Sequence, residues 1–337
     1  MNHIVFCINE KFTMPAGILI SSIQHYNKES AFTYHIFSKN ITNQSKEKLC
    51  NLLNSNSKIN FYNVNDEILS NLPIRQNDHI SIEAYYRFLI PSILSEDIKK
   101  VLYLDCDILC TGNLDELFKT NIDSYSVGMV RDSRNDDISS FARLQYPPEY
   151  GYYCSGVILY NLTYWRENNL SEKCIQFISE NPYLCLWHDQ DTINKVLHES
   201  IFPLDFKYDL LPNFFSVLNY LDNKYTKINE HKLLLDRKYW TSVKNSIMQP
   251  VLIHFGGKIK PWFDTKNTPP FTSLWREFYK NSPWKSQKLF KNYKKELILF
   301  IKSVLHKGIK YETYPDELNE LEQKIILDLR ENLSSKN

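Results

Sequence analysis

The first hundred residues alternate strand patterns with helical ones, and this alternation restricts the fold more than any other feature of the chain. Short runs rich in β-branched and aromatic residues predict strands, and apolar residues at helical spacing between them predict helices. The predicted strands are His3–Ile8, Phe32–Phe37, Ile59–Val64 and Val101–Leu104, and the predicted helices are Pro15–Tyr26, Ser45–Leu53 and Ile82–Leu94. Such alternation indicates an α/β fold with a mostly parallel sheet and helices on both faces.

After residue 107 the pattern is less regular. Further strands are predicted at Ser126–Val130, Gly156–Tyr160 and Pro250–His254, and a further helix at Asp189–His198. The aromatic stretch Leu204–Leu221 has no clear period, which predicts an irregular binding loop. No repeat or linker interrupts the chain earlier, so we expect one large domain over residues 1–282 and a helical extension over residues 283–337.

Composition excludes several classes of protein. A formal net charge of +1 argues against a nucleic-acid binder, whose basic excess is usually obvious. The first residues lack a basic segment before their short apolar run, and no apolar stretch approaches the ~18 residues of a membrane span. Seven cysteines without a C-x-x-C pair fit neither a disulfide framework nor a zinc ribbon. These features predict a cytoplasmic protein with reduced cysteines.

An Asp-x-Asp motif follows the strand predicted at Val101–Leu104. Asp105 and Asp107 lie at its carboxyl end, where open parallel sheets bind ligands. Two carboxylates there can share a hard cation that also binds phosphate oxygens and so assists the departure of a diphosphate. The same residues also suit a solvated or helix-capping pair, or a phosphatase of the haloacid dehalogenase type. That phosphatase motif usually opens the domain, whereas here a complete strand–helix series precedes it.

Six blocks in the same order resemble glycosyltransferase family 8, particularly bacterial enzymes that extend the outer core of lipopolysaccharide or lipooligosaccharide. The blocks are IVFCINEKF, HISIEAYYRFLIPSIL, KVLYLDCDILCTGNLDELF, YYCSGVILYNLTYW, HDQDTIN and LIHFGGKIKPW. The resemblance implies a Rossmann-like nucleotide-diphosphosugar fold termed GT-A. It also implies a retaining enzyme that moves glucose or galactose from UDP-glucose or UDP-galactose to the lipopolysaccharide core.

The metal site implied by the resemblance consists of Asp105, Asp107 and His254, which would hold Mn²⁺ or Mg²⁺. Considered alone, His254 would also suit a satisfied core histidine. Gly257 permits a ligand to approach the backbone closely, and Lys260 supplies a point charge for the β-phosphate. A solvated surface lysine is the alternative for Lys260.

The resemblance also implies the residues that bind the donor and support catalysis. Arg87 would face the donor sugar and pyrophosphate, with a surface ion pair as its alternative. Asp189 and Gln190 would hold the sugar beneath its anomeric carbon, unless they only cap the predicted helix. Asp132 would contact the donor or acceptor. The remaining positions assigned to nucleotide binding are Cys7, Asn9, Phe12 and Cys106.

The chain departs from the family pattern in three places. Asn9, Glu10 and Lys11 follow the first strand, where the family usually has one or two aspartates. Cys154 replaces an asparagine that helps to distinguish the donor sugar, so the hexose is left open. Asp209 stands where the family often has asparagine. No departure removes a predicted metal ligand.

The residue beneath the sugar bears on the mechanism. A double displacement requires a carboxylate nucleophile there, and the amide of Gln190 is a feeble one. We therefore expect attack from the leaving-group face, with the departing phosphate accepting the proton of the acceptor hydroxyl. Three other hypotheses remain: the same transfer to a capsule or protein glycan, the phosphatase, and a non-catalytic nucleotide-sugar-binding protein.

The C-terminal region changes character. Between residues 284 and 310 eight lysines face a single acid, and apolar residues recur every fourth position from Leu289 to Leu305. This pattern predicts a helix that binds the cytoplasmic face of the inner membrane, or one that packs on the catalytic domain with its lysines in solvent. The acidic stretch Pro315–Leu333 predicts a final helix that folds back on the basic one.

Overall fold

The computed structural model describes residues 1–74, 81–133, 138–215, 237–265, 268–290 and 316–334. Most of the predicted basic helix and the end of the aromatic stretch Leu204–Leu221 therefore lie outside the described residues. Within the described part of the chain, no helix combines the length and the apolar character that crossing a membrane requires.

The central element is a seven-stranded sheet of order β3-β2-β1-β4-β7-β6-β8. The strands are β1 (Asn2–Cys7), β2 (Phe32–Ser38), β3 (Lys58–Asn63), β4 (Lys100–Leu104), β5 (Ile108–Cys110), β6 (Val127–Arg131), β7 (Tyr153–Asn161), β8 (Ile201–Pro203) and β9 (Leu252–His254). β1 to β4 pair in parallel, whereas β7 runs antiparallel between β4 and β6. β5 and β9 form a separate antiparallel pair. The predicted mixed, mostly parallel sheet is confirmed.

Helices connect these strands and cover the sheet. They are α1 (Thr13–Tyr26), α2 (Asn43–Cys50), α3 (Ile90–Ile93), α4 (Asp115–Lys119), α5 (Ile138–Leu144), α6 (Leu162–Glu167), α7 (Leu170–Glu180), α8 (His188–Leu197), α9 (Arg237–Ile247), α10 (Thr272–Lys280) and α11 (Asp316–Ser334). Along β1, Ile4 and Phe6 join the apolar core that includes Leu19 of α1, whereas Val5 joins the opposite core with Phe88. Both faces of the sheet are therefore buried, as expected for parallel strands.

The helix predicted over Ile82–Leu94 differs in type. Ile82–Leu89 forms a 3₁₀ helix, and only the short helix α3 that follows it is α-helical. Pro91 has no N–H to donate to the carbonyl of Arg87, so regular α-helical bonding cannot continue from the preceding residues into α3. The Tyr160 hydroxyl donates to that carbonyl instead, at 3.4 Å.

The final helix α11 packs against α10, and its Leu318 and Leu329 are buried in the apolar core. Glu322 accepts hydrogen bonds from the backbone N–H groups of Phe271 and Leu274, both at 3.0 Å, and thereby satisfies donors at the start of α10. The helix predicted over Pro315–Leu333 is therefore present and bonded to the first turn of α10.

Candidate active site

The two aspartates of the Asp-x-Asp motif and His254 come together at the carboxyl end of β4. Ile108 of β5 pairs with His254 of β9, so the turn after β4 lies beside the histidine. His254 Nε2 lies 3.2 Å from Asp107 Oδ1 and 4.0 Å from Asp105 Oδ2. The three potential ligand atoms all lie within 4.8 Å of one another. Residues almost 150 positions apart thus converge on one point.

A glycine makes room for the imidazole. A Cβ added to Gly156 of β7 would lie 2.3 Å from His254 Cε1, closer than real side-chain atoms approach. The Gly156 carbonyl also accepts the N–H of Asp105 at 2.8 Å, which ties the motif to β7. Glycine at position 156 therefore allows the histidine to lie against the strand beside the motif.

The charges of this cluster are strongly coupled. Burial lowers the pKa of His254, but the carboxylates of Asp107 and Asp209 outweigh burial and hold that pKa well above its usual range. Burial raises the pKa of Asp107, but Lys260 and His254 outweigh it and hold that pKa well below normal. For Asp209, burial prevails over His254 and the pKa is raised. The carboxylates create a strongly negative site that cationic groups neutralise.

The segment after β9 contributes Gly257 and Lys260. Gly257 has φ +99°, in the left-handed region, and a Cβ there would meet no atom within 4 Å. Glycine is therefore required by the backbone conformation rather than by space. The Lys260 ammonium contacts Asp107 and donates to the Phe255 carbonyl at 2.8 Å. Lys260 thus contacts the predicted metal ligand Asp107 and is not a solvated surface lysine.

The donor atoms fit a divalent cation. Two carboxylates and one imidazole nitrogen form an oxygen-rich, borderline set that suits Mn²⁺ or Mg²⁺, with positions left for phosphate oxygens. The two aspartates remain partly exposed, at 28% and 14% of their side chains, whereas the imidazole is 7% exposed. A ligand can therefore approach from the aspartate side.

Arg87, which is buried, forms a second cluster that shares Asp105 with the first. Its guanidinium lies 2.9 Å from Asp105 and 2.8 Å from Asp189. It also donates to the Ser155 carbonyl at 2.7 Å and the Tyr103 hydroxyl at 2.8 Å. With its side chain only 4% exposed, Arg87 is no surface ion pair. It connects the Asp-x-Asp motif to the first turn of α8.

The polar residues of α8 continue from Arg87 in an ordered row. Asp189 accepts the Ser155 hydroxyl at 2.9 Å, and burial raises its pKa against the opposing effect of Arg87. Gln190 Oε1 accepts the Ser155 N–H at 3.2 Å, and Gln190 Nε2 donates to Asp132 Oδ2 at 2.9 Å. The structure thus brings Arg87, Asp189, Gln190 and Asp132 together.

The start of α8 is held by groups that the sequence interpretation missed. Arg143 forms a two-pronged ion pair with the fully buried Asp191, at 2.8 and 3.1 Å. Tyr152 and the backbone N–H of Trp187 donate to the same carboxylate, each at 2.7 Å. In the sequence, the second aspartate of HDQDTIN, Asp191, could have indicated this ion pair. These bonds fix the position from which Asp189 and Gln190 project.

His188, immediately before Asp189, has a left-handed backbone with φ +49°. Such a conformation costs about 1 kcal/mol or more in a non-glycine residue and is retained where surrounding contacts enforce it. One such contact joins the buried His188 Nδ1 to the Tyr85 hydroxyl at 3.1 Å. The backbone immediately before the α8 polar row is therefore strained.

The four residues predicted to bind the nucleotide have different surroundings. Asn9 accepts the Lys11 N–H at 3.1 Å, and Phe12 packs edge-on against Trp262. Cys7 and Cys106 are partly buried free thiols, and burial raises the pKa of each. Cys7 ends β1, Asn9 and Phe12 follow it, and Cys106 follows β4, the adjacent parallel strand. Among the described residues, no contact joins all four as the contacts of His254 join Asp105 and Asp107.

Glu10, one of the departures from the family pattern, has a structural role. It accepts hydrogen bonds from the backbone N–H and hydroxyl of Thr42, at 2.9 and 3.1 Å, and from the Ser45 hydroxyl at 2.6 Å. Thr42 in turn caps α2. Glu10 therefore joins the loop after β1 to the N-terminus of α2 and is committed to protein contacts.

The other two departures meet at His254. Cys154 Sγ lies 3.7 Å from His254 Nδ1, and Asp209 Oδ1 lies 2.9 Å from the same nitrogen. The sequence interpretation treated Cys154 as the replacement of an asparagine that distinguishes the donor sugar, and gave Asp209 no role. Asp209 lies in the stretch expected to be a binding loop, yet its neighbours Tyr208 and Leu210 are buried. This part of the stretch packs in the core behind the predicted metal site.

The mixed, mostly parallel sheet, with an Asp-x-Asp turn at its carboxyl edge, has the GT-A fold. The sequence profile of Glycosyl transferase family 8 matches residues 3–266. The chain belongs to glycosyltransferase family 8 and is a glycosyltransferase enzyme.

Individual relatives agree with this assignment. The chain is 26% identical to General stress protein A of Bacillus subtilis, over 84% of this chain and 94% of that protein. It is 29% identical to a lipopolysaccharide 1,2-glucosyltransferase of Escherichia coli, over 83% and 78% respectively. The crystal structure of the galactosyltransferase LgtC, in complex with donor and acceptor sugar analogs, matches with a TM-score of 0.71 at 19% identity. That match covers 84% of this chain and 99% of LgtC.

Proposed function

We propose that this enzyme transfers glucose or galactose from UDP-glucose or UDP-galactose to a hydroxyl of the lipopolysaccharide core, forming an α linkage. The observation that carries the proposal is the position of Asp105 between two clusters. It lies 2.9 Å from Arg87 in the row that ends in Gln190, and 4.0 Å from His254 in the cation cluster. One carboxylate thus connects a place for a pyrophosphate with a place for a sugar.

Asp105, Asp107 and His254 would hold Mn²⁺ or Mg²⁺. The cation, when bound, neutralises the charge that develops on the departing diphosphate. Lys260 adds a positive charge beside Asp107, and Gly257 lets the backbone approach the phosphates. Cys7, Asn9, Phe12 and Cys106 complete the proposed nucleotide site.

The groups beneath the proposed sugar site are poorly suited to nucleophilic attack. Asp189 is bound to Arg87 at 2.8 Å and to Ser155 at 2.9 Å, and Gln190 presents an amide held by Asp132. These residues can orient sugar hydroxyls and stabilise positive charge on the ring. We therefore propose attack from the leaving-group face: the acceptor oxygen bonds to the anomeric carbon, the carbon–phosphate oxygen bond breaks, and that phosphate accepts the hydroxyl proton.

The lipopolysaccharide acceptor is proposed from the Escherichia coli relative, which is named for that substrate. General stress protein A, which is similar over a larger share of its own length, carries no such name. Transfer to another glycan, such as a capsule or protein glycan, is therefore the second candidate. It shares the donor site and differs only in the acceptor.

The membrane association also remains a proposal. Residues 291–315, which contain most of the basic pattern, lie outside the described residues. Their composition supports peripheral binding to the cytoplasmic face of the inner membrane, and so does a lipid-linked acceptor. We also propose that the chain divides into a catalytic domain over residues 1–282 and an extension over residues 283–337.

The decisive experiment measures UDP release from UDP-glucose and UDP-galactose with Mn²⁺, with and without chelator, across a set of truncated lipopolysaccharide acceptors. We expect release that requires the metal, increases with one acceptor, and yields an α linkage by NMR. Failure with every UDP-hexose would contradict the donor assignment. Activity only with other glycans would favour the second candidate. A covalent sugar adduct on Asp189 or Gln190 would overturn attack from the leaving-group face.

A further inference from the structure

The two ring nitrogens of His254 face opposite environments. Nε2 faces Asp107 and Asp105 at the partly exposed cation site. Nδ1 faces Asp209, whose carboxylate oxygen Oδ1 lies 2.9 Å away and whose side chain is fully buried. The histidine therefore separates an open carboxylate pair from a carboxylate enclosed in the core.

The backbone holds Asp209 and His254 in a fixed relation. Leu210, next to Asp209, donates its N–H to the Leu252 carbonyl, and its own carbonyl accepts the His254 N–H, both at 3.0 Å. Leu210 also forms a parallel bridge with Ile253 of β9. The residues beside Asp209 are thus bonded directly to the strand that carries the imidazole. This close pairing limits how far either side chain can move from the other.

Asp209 has few other ways to satisfy its buried charge. Its second oxygen, Oδ2, is buried and accepts no hydrogen bond from the residues that the structure describes. His254 is therefore the main compensation for burying this carboxylate, and the weakly donating Cys154 thiol adds a second hydrogen bond. An uncompensated carboxylate would be costly in the core, so the pairing with an N–H donor is enforced.

An ionised carboxylate can only accept hydrogen bonds, whereas an asparagine at this position could accept or donate. Opposite Asp209, a neutral His254 must carry its proton on Nδ1, which leaves the lone pair on Nε2. Opposite an asparagine, the amide NH₂ could instead donate to Nδ1, which would leave the proton on Nε2 and block metal binding. The carboxylate removes that choice.

We propose that Asp209 is a positioning residue that fixes His254 in its Nδ1–H tautomer and directs the Nε2 lone pair at the divalent cation. The proposal rests on the proposed function of Asp105, Asp107 and His254 as a cation site. It adds to that site a carboxylate outside the ligand set, from the segment between β8 and α9. Such partners of metal-bound histidines orient the ring and raise the basicity of the ligand nitrogen.

The first test measures Mn²⁺ binding by electron paramagnetic resonance in the absence of donor. Asp209→Ala should weaken Mn²⁺ affinity by about 10- to 100-fold, the usual effect of removing such a partner. Asp209→Asn, which keeps the shape and guards against misfolding, should weaken it less. Glu116→Gln is the matched control, because it removes the exposed ion pair to Lys207 near Asp209 without touching His254. The control should bind Mn²⁺ as the wild type does.

The second test observes the tautomer directly, by ¹⁵N NMR of the histidine rings with Mg²⁺. Wild-type His254 should show a protonated Nδ1 and an unprotonated Nε2, and Asp209→Asn should show a mixture. A folded Asp209→Ala protein with wild-type Mn²⁺ affinity and tautomer would overturn the proposal. Asp107→Asn separates failure of this proposal from failure of the proposed function. If that variant also bound Mn²⁺ normally, the assignment of the cation site itself would be wrong.

Discussion

Two buried cationic side chains flank the Asp-x-Asp turn, and they differ in what they can exchange. Arg87 is clasped by Asp105 and Asp189, and its guanidinium keeps its charge at any physiological pH. His254 is clasped by Asp107 and Asp209, but its ring can give up a proton and present a lone pair. The comparison shows that one motif contacts both a permanently charged arginine and a histidine that can bind a metal.

The largest expected effect comes from the cluster around His254, whose ring can give up its proton and bind a metal. Asp107→Asn removes the charge that faces both His254 and Lys260, and kcat should fall about a thousandfold, since metal stabilisation of several kcal/mol would be lost. Mn²⁺-dependent UDP release measures this loss. Asp123→Asn, an exposed aspartate remote from the cluster, should leave the rate unchanged. A rate for Asp107→Asn within tenfold of wild type would break the proposed distinction between the two clusters.

At Arg87, whose charge is permanent, we expect a substitution to lower stability as well as activity. Arg87→Met leaves the Asp105 and Asp189 carboxylates without their shared partner, and breaking a buried pair typically costs 3–5 kcal/mol. Urea unfolding measures the change. Lys39→Met, which removes an exposed ion pair to Asp66, is the control and should not shift the midpoint. An equal shift in both variants would show that burial of Arg87 is unimportant.

The smallest expected effect is a pH dependence of Mn²⁺ affinity, which tests whether His254, unlike Arg87, releases a proton. Burial lowers the pKa of His254, but Asp107 and Asp209 hold it well above about 6.5, so Mn²⁺ must displace a proton from the ring. Apparent Mn²⁺ affinity should therefore rise about tenfold per pH unit from pH 6.5 until the raised pKa is passed. Binding titrations across this range measure the slope. A flat profile would show that the imidazole does not exchange its proton for the metal.

The same raised pKa has the opposite effect on the stability of the metal-free protein. The protonated His254 stabilises the folded state below the unfolded pKa of about 6.5, and this contribution is lost as the pH rises through the folded pKa. Arg87 has no releasable proton, so an Arg87→Met protein that folds should retain the pH slope of Mn²⁺ affinity.

Much of the sheet could be predicted from the sequence, because strand and helix periods are local. The first four strands lie within one residue of their predicted ends, whereas β7 begins three residues before Gly156. The strand therefore includes Cys154, which the sequence pattern left outside it. The 3₁₀ form of Ile82–Leu89 was also missed, because helical spacing over so short a stretch does not distinguish the two helix types.

The site was only partly predictable, for a different reason. Resemblance indicated Asp105, Asp107 and His254, and the structure brings their side chains together. The partners behind them, such as Asp209 for His254, depend on strand pairing between segments 45 residues apart in sequence. No local pattern encodes such a pair. The arrangement around Arg87 was equally hidden, since burial of an arginine follows only from the complete fold.

The contact between Glu322 and the start of α10 has a practical consequence for the C-terminal region. A chain cut before Asp316 would lose the only described side-chain acceptor of two amide groups, at Phe271 and Leu274. Lost activity in such a truncation would then report damage to the enzyme's interior as readily as loss of membrane attachment. Replacing individual lysines among residues 291–310 leaves the hydrogen bonds of Glu322 in place. Any change in membrane binding or activity would then report the effect of charge.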